Sequence, residues 1–124
     1  MARQTFTSGQ VLTAAQVTNL QSNAGWNLDI KTSASTAYSV ISTDVGRLIT
    51  FSASSAVTVT FPAGTFTVGD QINFVQLGTG AVTFAATNIT RQSQGAKYTT
   101  NGQFSLVTAV YTATSTWLFV GNLV

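Results

Sequence analysis

Three aspartates, Asp29, Asp44 and Asp70, are the only acids in this 124-residue chain, which has no histidine and no cysteine. That inventory rules out a Ser-His-Asp or Cys-His nucleophile, a His- or Cys-ligated zinc and any disulfide. What remains is a carboxylate pair. Hydrolysis by such a pair needs two carboxyl groups a few ångströms apart across a cleft. Asp44 and Asp70 instead stand in turn contexts, beside Gly46 and Gly69. There an aspartate bonds its own local backbone. The expected role is structural, and no catalytic residue is assigned. Calcium needs several oxygen ligands, with carboxylates clustered. These three are far apart in sequence, so neither a metal nor a cofactor is expected.

Gly78-Thr79-Gly80 lacks the Lys-Ser/Thr pair and the following helix of a phosphate loop, and it reads as a hairpin. The five bases, Arg3, Lys31, Arg47, Arg91 and Lys97, leave a net charge of only +2 and are scattered. Phosphate backbones are bound by clustered cations, so nucleic acid is not an expected partner. A carbohydrate is a better one, because aromatic rings stack on sugars and uncharged amides and hydroxyls bond their hydroxyl groups. Trp26 and Tyr98 are the candidate glycan contacts, with Tyr98 expected to be exposed. Trp117 alternates with Phe119 and is expected in the core.

Only 6% of the residues are charged, against about 25% in an average soluble protein. Hydrophobic residues make up 44%, so the chain is not of the disordered class. Threonine is abundant, and it suits a pleated, half-buried strand. The opening residues lack the continuous apolar core of a secretory signal. No apolar run approaches the roughly 20 residues of a membrane span, so membrane insertion is not expected.

Residues 1–30 differ from the rest and read as an arm with a short helix. Thr13 is an N-cap, Gln16 completes a capping box, and Leu12 with Val17 fits a hydrophobic staple. The predicted helix runs from about Ala14 to Ser22 and ends near Asn23 to Gly25. So short a helix is marginal alone. It must dock on its own domain or on a neighbour.

Residues 31–124 read as the β-domain. After a connection over 26–36, strand signals recur. Val57, Val59 and Phe61 alternate with threonine most cleanly, and Pro62 ends that run. Asn101-Gly102 is the strongest hairpin signal. Short connections without a helical crossover, and no visible 20–50-residue period, predict an all-β fold. The expectation is an antiparallel β-sandwich or jelly-roll-like domain of about eight strands, not a solenoid. Threonine-rich strands with one proline and two lysines lack the usual guards of exposed edges. Such strands are expected to be covered by other copies in a symmetric oligomer.

The segment Phe6-Thr7-Ser8-Gly9-Gln10-Val11-Leu12-Thr13-Ala14-Ala15-Gln16-Val17-Thr18-Asn19 resembles the start of many small structural proteins of tailed bacteriophages, including minor tail proteins of actinobacteriophages. Thr18 departs from that pattern by standing between Val17 and Asn19. The remainder resembles phage tail-fibre, head-fibre and decoration β-domains. The matching stretches, in order, are Asp44-Val45-Gly46-Arg47-Leu48-Ile49, Val57-Thr58-Val59-Thr60-Phe61-Pro62, Val68-Gly69-Asp70-Gln71-Ile72, Gln76-Leu77-Gly78-Thr79-Gly80 and Trp117-Leu118-Phe119-Val120-Gly121. The resemblance implies a non-enzymatic virion protein, assembled in the host cytoplasm as a homotrimer and joined to other capsid or tail proteins. Val11, Leu12, Val17 and Leu20 are the expected anchor or oligomer contacts. The alternative function is a receptor-binding module for host cell-surface glycan.

Overall fold

The computed structural model of the chain describes residues 7–23 and 28–124, and for residues 19–23 the backbone alone. Trp26 and the side chain of Leu20 therefore lie outside the described residues. Helix α1 spans Ala14–Asn23. Its start is the predicted capping box. The Thr13 amide donates to Gln16 Oε1 at 2.9 Å, and the Gln16 amide donates to Thr13 Oγ1 at 3.2 Å.

The rest is all-β. Nine strands follow: β1 (Asp29–Ser33), β2 (Ala37–Ser39), β3 (Arg47–Phe51), β4 (Val57–Pro62), β5 (Gln71–Gln76), β6 (Val82–Thr87), β7 (Thr90–Ser93), β8 (Leu106–Ala113) and β9 (Thr116–Gly121). Eight lie near expected strand signals. β1 does not: it forms within the expected connection and straddles the expected boundary at residue 30. Its single large apolar residue, Ile30, offers no period-two pattern to read.

The strands form a six-stranded sheet ordered β1-β3-β5-β8-β9-β7 and a three-stranded sheet ordered β2-β4-β6. The antiparallel expectation is corrected here, because five of the seven strand pairings are parallel. Parallel neighbours need a crossover. Here a strand of the opposite sheet supplies it, so no helix is required. The chain alternates between sheets through β1-β2, β3-β4 and β5-β6, winding three solenoid-like coils. The expectation against a solenoid is corrected with it. Ile30 faces Leu48, which faces Asn73, offsets of 18 and 25 residues. Unequal loops hide that repeat from a search for a fixed period.

Gly78-Thr79-Gly80 is likewise a coil corner rather than a hairpin, since β5 and β6 lie in different sheets. It stacks on the corner 52–56 of the coil before it. Leu77 and Gly78 amides donate to the Phe51 carbonyl at 2.8 and 2.9 Å, Gly80 to that of Ala53 at 3.0 Å, and Val57 to that of Ala81 at 2.8 Å. The third coil is closed by antiparallel chain on both sheets. β8 pairs with β5, and residues 98–100 lie along β6 through Phe84 and Thr100 amide bonds to Tyr98 and Val82 carbonyls. Asn101-Gly102 therefore carries the chain from one sheet to the other, and the hairpin expected there is absent. A buried polar pair pins this closure. The Thr100 hydroxyl donates to Gln76 Oε1 and accepts the Val82 amide at 2.8 Å, while Gln76 Nε2 donates to the Gly78 carbonyl at 3.1 Å.

The core lies between the sheets. Ile49, Phe51, Ile72, Phe74, Val107, Trp117 and Phe119 meet Val57, Val59, Phe61, Val82 and Phe84, all buried. Val57, Val59 and Phe61, the alternating positions of β4, point inward.

Candidate functional site

The three aspartates are used by the fold. Asp29 Oδ2 meets Arg47 Nε at 2.7 Å, across the register that pairs these residues in β1 and β3. Both are solvent-accessible, so this pair contributes little. Asp70 accepts the Thr67 amide at 2.8 Å, the local turn bond expected of it. Asp44 accepts the Ile41 amide at 3.0 Å, again a turn bond.

Asp44 does more, because it is fully buried. It also receives Lys31 Nζ at 3.2 Å and the Tyr38 hydroxyl at 2.9 Å. Lys31 sits 4.9 Å above the Tyr38 ring. The first coil is thus closed around a carboxylate. The sequence reading missed this cluster, since only the winding brings β1, β2 and the turn at 42–44 together.

Lys31 titrates above its ordinary 10.5, chiefly through its hydrogen bond with Tyr38 and then through Asp44, against an opposing effect of desolvation. Tyr38 titrates above its ordinary 10.0, first because of burial and further because of Asp44, against the opposing effect of Lys31. Both groups hold their protons more tightly folded than unfolded. Their stabilising contribution is complete below the unfolded values and is lost as pH rises through the folded ones. The urea midpoint should therefore fall as pH is raised from about 9 to about 11.5, and fall less steeply in Tyr38→Phe. A midpoint independent of pH across that window would contradict this account of the cluster.

Tyr98 is not the exposed platform anticipated. It is half-buried, with Arg91 lying 4.1 Å over its ring and Phe119 at 6.0 Å edge-on. Its hydroxyl donates to the Arg91 carbonyl at 2.9 Å, and Arg91 Nη1 donates to the Phe84 carbonyl. A sugar ring would have to displace the guanidinium to stack there. Trp117 is fully buried, as expected of it. Beside β9, a cleft of about 570 Å³ is lined by Gln94, Lys97, Leu118, Val120 and Leu123 among others. Lys97 is its only charge.

The expected anchor residues are exposed where they are described: Val11 at 85%, Leu12 at 47% and Val17 at 47%.

Two broad faces are poor in charge, with Lys97 at their edge. On the three-stranded sheet, Thr58, Thr60 and Thr83 point outward, and the Thr83 hydroxyl bonds that of Thr99 at 3.1 Å. On the six-stranded sheet, register aligns Ile30, Leu48, Asn73, Thr108 and Val120 in one outward row. Thr32, Thr50, Val75 and Leu106 form the next. Gln71, Val110, Leu118 and Gln92 form a third.

No known family model matches the chain, and no curated protein matches it. Among the described residues no helix is long and apolar enough to cross a membrane.

Proposed function

We propose that this chain is a non-enzymatic structural protein of a tailed-phage virion, a trimeric surface component of the tail or capsid of the minor-tail, head-fibre or decoration type. It works without cofactor or metal, and its partners are other copies of itself and neighbouring virion proteins. The observation that carries the reading is the arm. A capped helix start presents Val11, Leu12 and Val17 to solvent ahead of a β-domain that has its own buried core. Apolar side chains left out on a short helix are what an attachment segment requires, because such a helix is stable only when docked. The ordered phage-like motifs agree with it. So do the described acids, each held in an ion pair or a local turn. The host-glycan alternative draws no support from Tyr98, whose ring is already covered.

The test is incorporation. Leu12→Asp with Val17→Asp should reduce recovery of the protein in purified particles to background. The unfolding transition of the β-domain should stay where it was, since neither residue belongs to its core. Normal recovery of the double variant in particles would sink the assignment.

A further inference from the structure

We infer that the outward face of the six-stranded sheet is a contact between copies of this chain. The inference deepens the reading of an oligomeric virion protein and rests on it, and it is carried by separate observations.

The first is topology. β1, β3 and β5 pair in parallel within a sheet that β8 and β9 extend antiparallel. The core covers one face of this sheet. On the other, Ile30, Leu106 and Val120 are 60%, 52% and 57% exposed.

The second is the chemistry of the polar residues on that face. Several of them pair with one another. The Thr50 hydroxyl donates to that of Thr32 at 3.0 Å. Asn73 Oδ1 accepts the Thr108 hydroxyl at 2.8 Å and Gln71 Nε2 at 3.4 Å. Burying an unpaired polar group costs about 1–3 kcal/mol, whereas a paired one can be dehydrated without losing its partner. The Thr32–Thr50 and Asn73–Thr108 pairs can therefore be dried without losing a partner.

The third is charge and area. None of the outward rows contains Asp, Lys or Arg, and Lys97 is the one charge in the cleft that Leu118 and Val120 line, so the face carries no charged cluster for nucleic acid or an anionic surface. A neutral, flat, apolar-and-hydroxyl surface complements another of its kind, and a second copy supplies one. Six strands about 4.8 Å apart, with about five residues each at about 3.3 Å, span about 475 Å² in projection. Two such faces reach about 950 Å², the size of weak, transient contacts and well short of the obligate class. The contact should thus form at micromolar concentration and add to whatever the arm contributes.

The experiment is sedimentation equilibrium of the full chain from about 1 to about 200 µM. It compares wild type with Leu106→Lys/Val120→Lys and with Thr83→Lys, which adds charge to the outer face of the other sheet. Wild type should self-associate. The double variant should weaken association at least tenfold, and Thr83→Lys should leave it within a factor of about two. Unchanged association in the double variant overturns the inference, as does equal weakening by Thr83→Lys or a wild type that stays monomeric. Particle incorporation, read separately through Leu12 and Val17, reports on the functional reading in each of these cases.

Should the lysine variants unfold, cross-linking decides. The chain has no cysteine, so Val120→Cys and Thr83→Cys each place a single thiol. A short thiol-to-thiol linker should join copies of Val120→Cys and leave Thr83→Cys without a cross-link. Equal yields from the two overturn the inference.

Discussion

Replacing Phe61 by alanine should destabilise the domain by about 3–5 kcal/mol, the range for emptying a large aromatic site in a packed core. Phe61 is fully buried at the junction of the two sheets. Its ring lies 5.0 Å from Trp117, 4.9 Å from Phe119, 5.7 Å from Phe74 and 6.3 Å from Phe84, edge-on or nearly so. It thereby touches strands of the second coil, the third coil and the closing strands at once. Relaxation around the void would have to move three parts of the fold together, which argues for the upper half of that range. Against a total stability of about 5–15 kcal/mol, the loss should appear as a large drop in the urea midpoint. Phe61→Leu should lose distinctly less, because most of the apolar volume stays. Equal losses in the two variants would mean that the site collapses freely.

Gly80→Ala should be nearly as damaging, for a different reason. A Cβ at Gly80 would stand 1.9 Å from the Ser55 carbonyl oxygen, and one at Gly78 would stand 2.0 Å from that of Ala53. Both obstacles are backbone, held by the hydrogen bonds that stack one coil corner on the other. Neither can swing aside as a side chain would. The cost should lie at or above the upper end of the 1–3 kcal/mol typical of overpacking. Gly64→Ala is the matched control. Its nearest contact would be Phe66 Cε2 at an ordinary 3.7 Å, and its stability should change by less than about 0.5 kcal/mol. Thermal unfolding of the two variants separates a general cost of losing glycine from the specific clash.

Much of the local structure is legible from residue type and spacing. The Thr13–Gln16 capping box forms as read. Val57, Val59 and Phe61 point inward as their alternation requires. Asp44 and Asp70 bond turn backbone, and Pro62 closes β4. Each of these depends on groups within a few residues of one another.

What failed depended on which strands become neighbours. Two strands joined by a short loop are the usual sign of a hairpin. The same loop length serves as well for a corner between two sheets, and nothing in Gly78-Thr79-Gly80 distinguishes the two uses. The carboxylate cluster of Lys31, Tyr38 and Asp44 was hidden for a related reason, because its members meet only after the first coil has closed. Tyr98 was misplaced because Arg91 reaches it through β7, paired in parallel with β9.

By itself, then, the sequence determined that this is a charge-poor, all-β chain with a capped helical arm, since composition, period and capping are local properties. The tertiary structure decided the parallel winding, the burial of Asp44 and the charge-poor outer face of the six-stranded sheet. Those follow from register between residues 18 to 25 positions apart, where it is the facing sheet, and not the intervening sequence, that settles how strands align.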